Sequence, residues 1–297
     1  MLDRASTFAN KQVIDQLKNT FIPVAIDQAY QRRQADNEGE FYRRIASQGP
    51  RNDFKSGTTQ GLYAAAANGD LLGYTNHRSP ERVIRMLNQA LEKHEPQHVI
   101  PFKQEKVDTK YNPTPPENGL ILRVQGMVLG GYAETNDPWK KILQNSLSRD
   151  NLWIKRNEHA LLAQGEFPKT LQRRIARYHL TDATRGEPPM WKPDEVREIE
   201  IVIRDGKLSG NVHLETKDGR RGYIADILGE IESSDGVVTR LDAVAKGEFW
   251  GAGRYTKNPP PGRFPLAVSF TLADGSDLAD SIPPQASRGW VSGYFQD

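Results

Sequence analysis

The chain of 297 residues contains no cysteine. That absence excludes dithiol exchange, thiolate peroxidase chemistry and cysteine-ligated zinc or iron–sulfur sites, each of which needs a sulfur nucleophile or ligand. It excludes disulfides as well, and so fits either redox compartment. Charge of one sign is also lacking: 40 Lys and Arg oppose 38 Asp and Glu, and with the six histidines neutral the net charge is +2. Nothing in that balance demands a polyanion, and nucleic acid is not indicated as a partner. No run of about 18 apolar residues is present, which argues against a membrane span. Met1-Leu2-Asp3-Arg4 lacks the apolar core of a signal peptide. The expectation is a soluble protein, cytoplasmic or an already processed exported form. Internal repeats, low-complexity tracts, phosphate-binding loops, dinucleotide-type glycine patterns and nucleophile elbows are missing too, and no cofactor is expected.

What remains is an ordinary globular composition, 37% hydrophobic and 26% charged, in a chain long enough for two domains. Phe8, Val13, Ile14 and Leu17 recur at helical spacing, predicting an amphipathic helix over 5–19 with Ser6 or Thr7 as its cap. Phe21-Ile22-Pro23-Val24-Ala25-Ile26-Asp27 is a short apolar run ended by an acid, which reads as a buried strand, with Pro23 at an unpaired position. A polar helical stretch follows over 27–47. Leu62–Ala67 and Leu71–Tyr74 flank Asn68-Gly69 and predict a hairpin closed by a type I′ turn. Ser79, Pro80 and Glu81 then open a helix whose Val83, Met86, Leu87, Ala90 and Leu91 share a face, stopped at Pro96.

The order helix, strand, helix, hairpin, helix over residues 1–94 resembles the thioredoxin-like superfamily without its first strand. The Asn19-Thr20-Phe21-Ile22-Pro23-Val24-Ala25-Ile26-Asp27 segment carries the resemblance most directly. The family's Cys-x-x-Cys would fall at or before Met1, and its cis-proline position is occupied by Gln60, so no catalytic residue of the family carries over. In that fold the first strand would lie beside Phe21–Ile26. Leu120-Ile121-Leu122-Arg123-Val124 is apolar enough to replace it, and the expectation is that residues 119–125 pair with the N-terminal sheet.

Residues 96–118, with five prolines, read as a linker or strap. Residues 119–297 are then expected to form an α+β domain. A strand over 119–125, helices near 157–164 and from Pro168, and strand-like segments at 196–204, 207–216, 221–232, 237–245, 248–256 and 264–272 lie along it. Asp205-Gly206, Asp218-Gly219 and Asp235-Gly236 separate several of these and Asp274-Gly275 follows the last, the pattern of an antiparallel, barrel-like meander. The fold class expected is α/β plus α+β: an incomplete thioredoxin-like module, a mixed region, then the meander.

Candidate chemistry lies mostly in the second part. Trp191, in a proline-bracketed loop, and Trp250, Arg254 and Tyr255, in a glycine-rich run, could form with Trp290 and Arg288 an aromatic and basic mouth for a small ligand. The plainer reading is that such aromatics fill a core. His179 with Asp182, and His213 with Glu215, could build a histidine–carboxylate or metal site, as could His159 beside Glu158. His94 and His98 have ligand-like spacing, but Pro96 between them prevents one helical turn from presenting both. The function expected is a non-redox binding or scaffold protein, its protein or small-molecule partner unknown. The alternatives are an enzyme with a histidine–carboxylate site and a shortened form of a thioredoxin-like oxidoreductase.

Overall fold

The computed structural model describes residues 2–55, 57–96, 107–288 and 291–296. The chain divides into two compact units, residues 3–113 and 114–297.

In the first unit, helix α1 (Lys11–Thr20) begins at Asn10, whose side-chain oxygen accepts from the Val13 N–H at 3.2 Å. Ser6 and Thr7 do not cap it, because Thr7–Ala9 already forms a 3₁₀ turn and the Thr7 hydroxyl donates to the Arg78 carbonyl. The polar stretch after Asp27 is two elements rather than one helix. Asp27 caps a single turn, Gln28–Gln31, and Asp36 caps α2 (Asn37–Ser47) by accepting from the Gly39 N–H at 3.0 Å. An aspartate competes with helix continuation by bonding nearby backbone, so it marks a restart.

Strands β1 (Leu62–Ala65) and β2 (Leu71–Thr75) form a two-stranded antiparallel sheet. Their turn is not type I′. The Ala66 N–H bonds the Asp70 carbonyl and the Gly69 N–H the Ala66 carbonyl, both at 2.9 Å, and Gly69 has φ 89° while Asn68 does not enter the left-handed region. This is the three-residue loop ending in a left-handed glycine, a common alternative to the two-residue turn. The Asn68 side chain is held instead by Asp70, whose backbone N–H it accepts at 3.0 Å. Helix α3 (Pro80–Lys93) starts as expected, with Ser79 as cap and Pro80 in the first turn. It lays Val83, Met86, Leu87 and Ala90 against Val13 and Ala64 to make the unit's core. Residues 107–112 belong to this unit: Asp108 exchanges backbone and side-chain bonds with Ala35 and Asp36.

The strand expected at Phe21–Ile26 is not formed. Residues 22–26 are in no regular element, exposed and without a backbone hydrogen bond among the described residues. The neighbour proposed for them is engaged elsewhere: β3 (Leu120–Val128) pairs on one side with β4 (Asp150–Ile154) and on the other with β9 (Arg263–Leu272). An extended segment becomes a strand only when a second backbone satisfies its N–H and C=O groups.

The second unit is a curled, seven-stranded antiparallel half-barrel. Its spatial order is β4-β3-β9-β8-β7-β6-β5, with β5 (Val196–Arg204), β6 (Lys207–Glu215), β7 (Gly222–Ser234) and β8 (Val237–Trp250). Asp205-Gly206 (φ 48° and 72°) and Asp235-Gly236 (φ 53° and 77°) form the two-residue hairpins that the sequence announces. The segment read as 237–245 and the start of that read as 248–256 are one strand, β8, which ends at Trp250; residues 251–256 are not in a strand. Gly247 does not break it, because a Cβ there would collide with the Ile224 carbonyl of β7: the glycine allows close backbone approach between paired strands. Helices α4 (Pro138–Gln144), α5 (Arg156–Ala163) and α6 (Lys169–Arg174) accompany the sheet. Leu122, Trp153, Leu171, Trp191, Tyr223, Phe249 and Phe264 are among the buried residues of its core.

Both outer edges of the half-barrel are satisfied by side chains. On β5, the Gln172 amide accepts from the Ile201 N–H and donates to the Ile201 carbonyl, each at 3.1 Å, in the manner of an eighth strand. On β4, Arg174 reaches the Trp153 carbonyl at 3.4 Å. The segment after β9 is clamped by Asp280, which takes two bonds from Arg123 at 2.8 and 2.7 Å and one from Arg149 at 2.9 Å.

Candidate functional site

Helix α6 continues into a π-helical turn over Ile175–His179, closed by the Leu180 N–H on the Ile175 carbonyl at 3.0 Å. Residues five apart lie roughly 140° apart around an α-helix, whereas a widened turn brings them toward one face; such turns recur at functional sites. Here Arg174 and His179 both reach Tyr294. Arg174 Nε donates to the Tyr294 carbonyl at 3.1 Å, and His179 Nε2 lies 2.7 Å from the Tyr294 hydroxyl.

His179 is fully buried, and its other nitrogen, Nδ1, lies 3.3 Å from Asp150 Oδ2. Nδ1 makes no hydrogen bond among the described residues. Asp150 is fixed by its other oxygen, which accepts from the backbone N–H groups of Asn151 and Gln285, both at 2.9 Å. Burial pushes the Tyr294 phenol far above its ordinary pKa, so it stays protonated at neutral pH. These groups border a cleft lined also by Ser148, Thr181 and Gln285, with Val124, Tyr178, Pro188, Met190 and Val268 as its less polar wall. Its free space is about 10 Å³, close to the room one water needs. The Thr181 hydroxyl, like His179 Nδ1, is buried without a hydrogen-bond partner among the described residues.

The residues expected to act together are placed as follows. Trp191 is fully buried; its indole donates to the Leu180 carbonyl at 2.9 Å and its ring meets Phe249 edge-on. Arg221 stacks on it at 3.8 Å, and burial lowers that guanidinium to about 10, with Glu195 4.0 Å away and only partly offsetting the effect. Trp250 follows Phe249 on β8 and therefore faces the other side of the sheet. There it covers Gly222, stacks with Arg263 at 4.2 Å and donates to the Gly219 carbonyl. Trp191 and Trp250 thus do not share a cavity. Arg254 stands over the exposed Tyr255 at 5.3 Å, Arg288 pairs with Glu187 at 3.2 Å, and Trp290 lies outside the described residues.

Of the histidine–carboxylate pairs, His213 and Glu215 meet at 3.6 Å on the outer face of β6, half-exposed. Asp182 does not face His179; it pairs with Arg185 and holds the Thr184 N–H and hydroxyl. Glu158 serves Arg174, not His159. His159 Nε2 accepts from the Val238 N–H at 3.0 Å, which puts its ring proton on Nδ1, facing the Asn118 carbonyl at 3.1 Å. His94 caps α3, and His98 lies outside the described residues. Among the described residues no group of three or more His, Cys, Asp or Glu is arranged to hold a metal. No helix described is long and apolar enough to cross a membrane.

Asp150, Thr181 and Tyr294 were not legible as partners of His179, being 29, 2 and 115 residues from it with no motif spacing. No protein-family model, curated protein or solved structure matches the chain. The fold and site define a mixed α/β protein with a curled half-barrel and a buried histidine between Tyr294 and Asp150.

Proposed function

We propose that the chain is a non-redox binding protein whose first unit is a thioredoxin-like module that receives an extended partner segment along Phe21–Ile26. The observation that carries this reading is the exposure of Ile22 (91%), Val24 (72%) and Ile26 (41%) on an irregular stretch between two helical segments. Fully burying a valine or isoleucine is worth about 1.5–3 kcal/mol, so three of them in water form a strong site for association. Strand addition would cover these side chains and supply the backbone partners that residues 22–26 lack, Pro23 excepted. The thioredoxin-like arrangement adds support, since it places a further strand beside this segment. Without cysteine the module has no thiol to exchange, so its use is recognition.

Hydrogen exchange on the intact protein provides the test, with a six-residue peptide of alternating Val and Thr as probe. The amides of Ile22, Val24 and Ile26 should exchange freely alone and become protected with the peptide. Ile22→Lys with Val24→Lys should abolish that protection and leave the melting temperature unchanged. Absence of protection, or unfolding of the double variant, would overturn the reading.

A further inference from the structure

The exposed segment of the first unit has a symmetry of its own. Ile22, Val24 and Ile26 read the same from either end, and the residues that flank them, Phe21 (φ −123°, ψ 163°) and Asp27 (φ −79°, ψ 97°), are both in the extended region. In a strand, alternate residues turn their N–H and C=O groups to the same edge. The edge of Ile22, Val24 and Ile26 would be complete in donors and acceptors, whereas the edge of Pro23 and Ala25 lacks the proline N–H. Only the first edge can pair along its whole length. Placed antiparallel about a two-fold axis at Val24, it sets Val24 against Val24 of the second copy and Ile22 against Ile26, an isologous contact in which each of these side chains meets another apolar one.

Charge decides the direction. No charged side chain lies between Lys18 and Asp27. In the antiparallel pair Asp27 falls opposite Phe21, so the two Asp27 residues are about 20 Å apart at about 3.3 Å per residue, beyond the screening length of about 8–10 Å. A parallel, in-register pair would bring them to about 5 Å, one strand spacing. We propose that the chain forms a symmetric homodimer by antiparallel pairing of residues 22–26. The proposal rests on the reading of this segment as a strand-addition site, and names a second copy of the chain as the strand that is added. Residues 22–26 supply far fewer than the about 20–30 residues a side of a standard interface, so the dimer is a weak, concentration-dependent one.

The absence of cysteine makes the register testable, because each substitution below introduces the sole thiol of the full-length chain. Under mild oxidation Val24→Cys should link to its own copy, since opposed Cα atoms about 5.5 Å apart lie within the about 4.4–6.8 Å that a disulfide spans. Ile22→Cys alone and Ile26→Cys alone should not, their copies lying about 13 Å apart along the strands, but a mixture of the two should. In sedimentation over a dilution series the parent should pass from monomer to dimer. Val24→Pro, which deletes the central N–H, should leave monomer alone, and Ala25→Pro, altering only the unused edge, should behave as the parent. No link from Val24→Cys, or equal links from all three single variants, would overturn the proposal. The Val–Thr peptide, applied at the dilute end of the series, separates the two readings. If it still protects Ile22, Val24 and Ile26 while Val24→Cys does not link, self-pairing is wrong and strand addition by a foreign segment stands; if both fail, both readings fall.

Discussion

Glu158 illustrates how little a residue's sequence neighbours say about its role. It precedes His159, yet adjacent helical positions diverge by about 100°, and the two side chains serve different partners. Burial acts to raise the Glu158 pKa, but the two-pronged bond from Arg174 (2.7 and 2.8 Å), together with Lys155 N–H and Thr170, outweighs it and holds the carboxyl below its ordinary range. A depressed carboxylate contributes stability that is complete above the unfolded value near about 4.3 and is lost as pH falls through the folded value. Glu158→Gln should therefore remove part of the acid limb of the stability–pH curve. It should also cost about 3–5 kcal/mol at neutral pH, because Arg174 is left buried and uncompensated. Urea melts between pH 3 and 7 check both; a variant as stable as the parent would refute the account.

At the scale of elements, the half-barrel depends on closing its edges and turns. Gln172 replaces a strand at Ile201, so Gln172→Leu should leave a buried N–H and C=O unpaired, costing about 1–3 kcal/mol and exposing β5 to edge-to-edge pairing. Denaturant midpoints and light scattering at rising concentration measure the two effects. In the hairpin of β7 and β8, a Cβ at Gly236 would meet nothing within 4 Å, so the cost of Gly236→Ala is conformational alone. At φ 77° that cost should be about 1–2 kcal/mol, read from the thermal midpoint. A neutral outcome would argue that the turn has shifted type.

For the whole molecule, the cysteine-free composition carries the most general expectation. The chain should not reduce insulin with dithiothreitol as electron donor at any pH, since methionine cannot form the mixed disulfide that exchange requires. Turbidity of insulin above the uncatalysed background would contradict it. Trp191 and Phe249 pack edge to face within the core of the half-barrel.

Features that depend on local chemistry are legible in the chain. Ser79-Pro80 opens α3 because a cap and a fixed φ act within one turn, and Asp205-Gly206 and Asp235-Gly236 close hairpins because few residues tolerate positive φ. Strand-like segments separated by Asp-Gly pairs marked the meander from Val196 onward. Tertiary structure decided whatever required a distant partner. Phe21–Ile26 has strand composition but no neighbouring backbone, β3 chose β4 and β9 over the first unit, and Gly247 lies within a strand because Ile224 approaches it. The grouping of Asp150, His179 and Tyr294 belongs to the same class. It joins three elements far apart in the chain, and only their packing brings a hydroxyl, an imidazole and a carboxylate together.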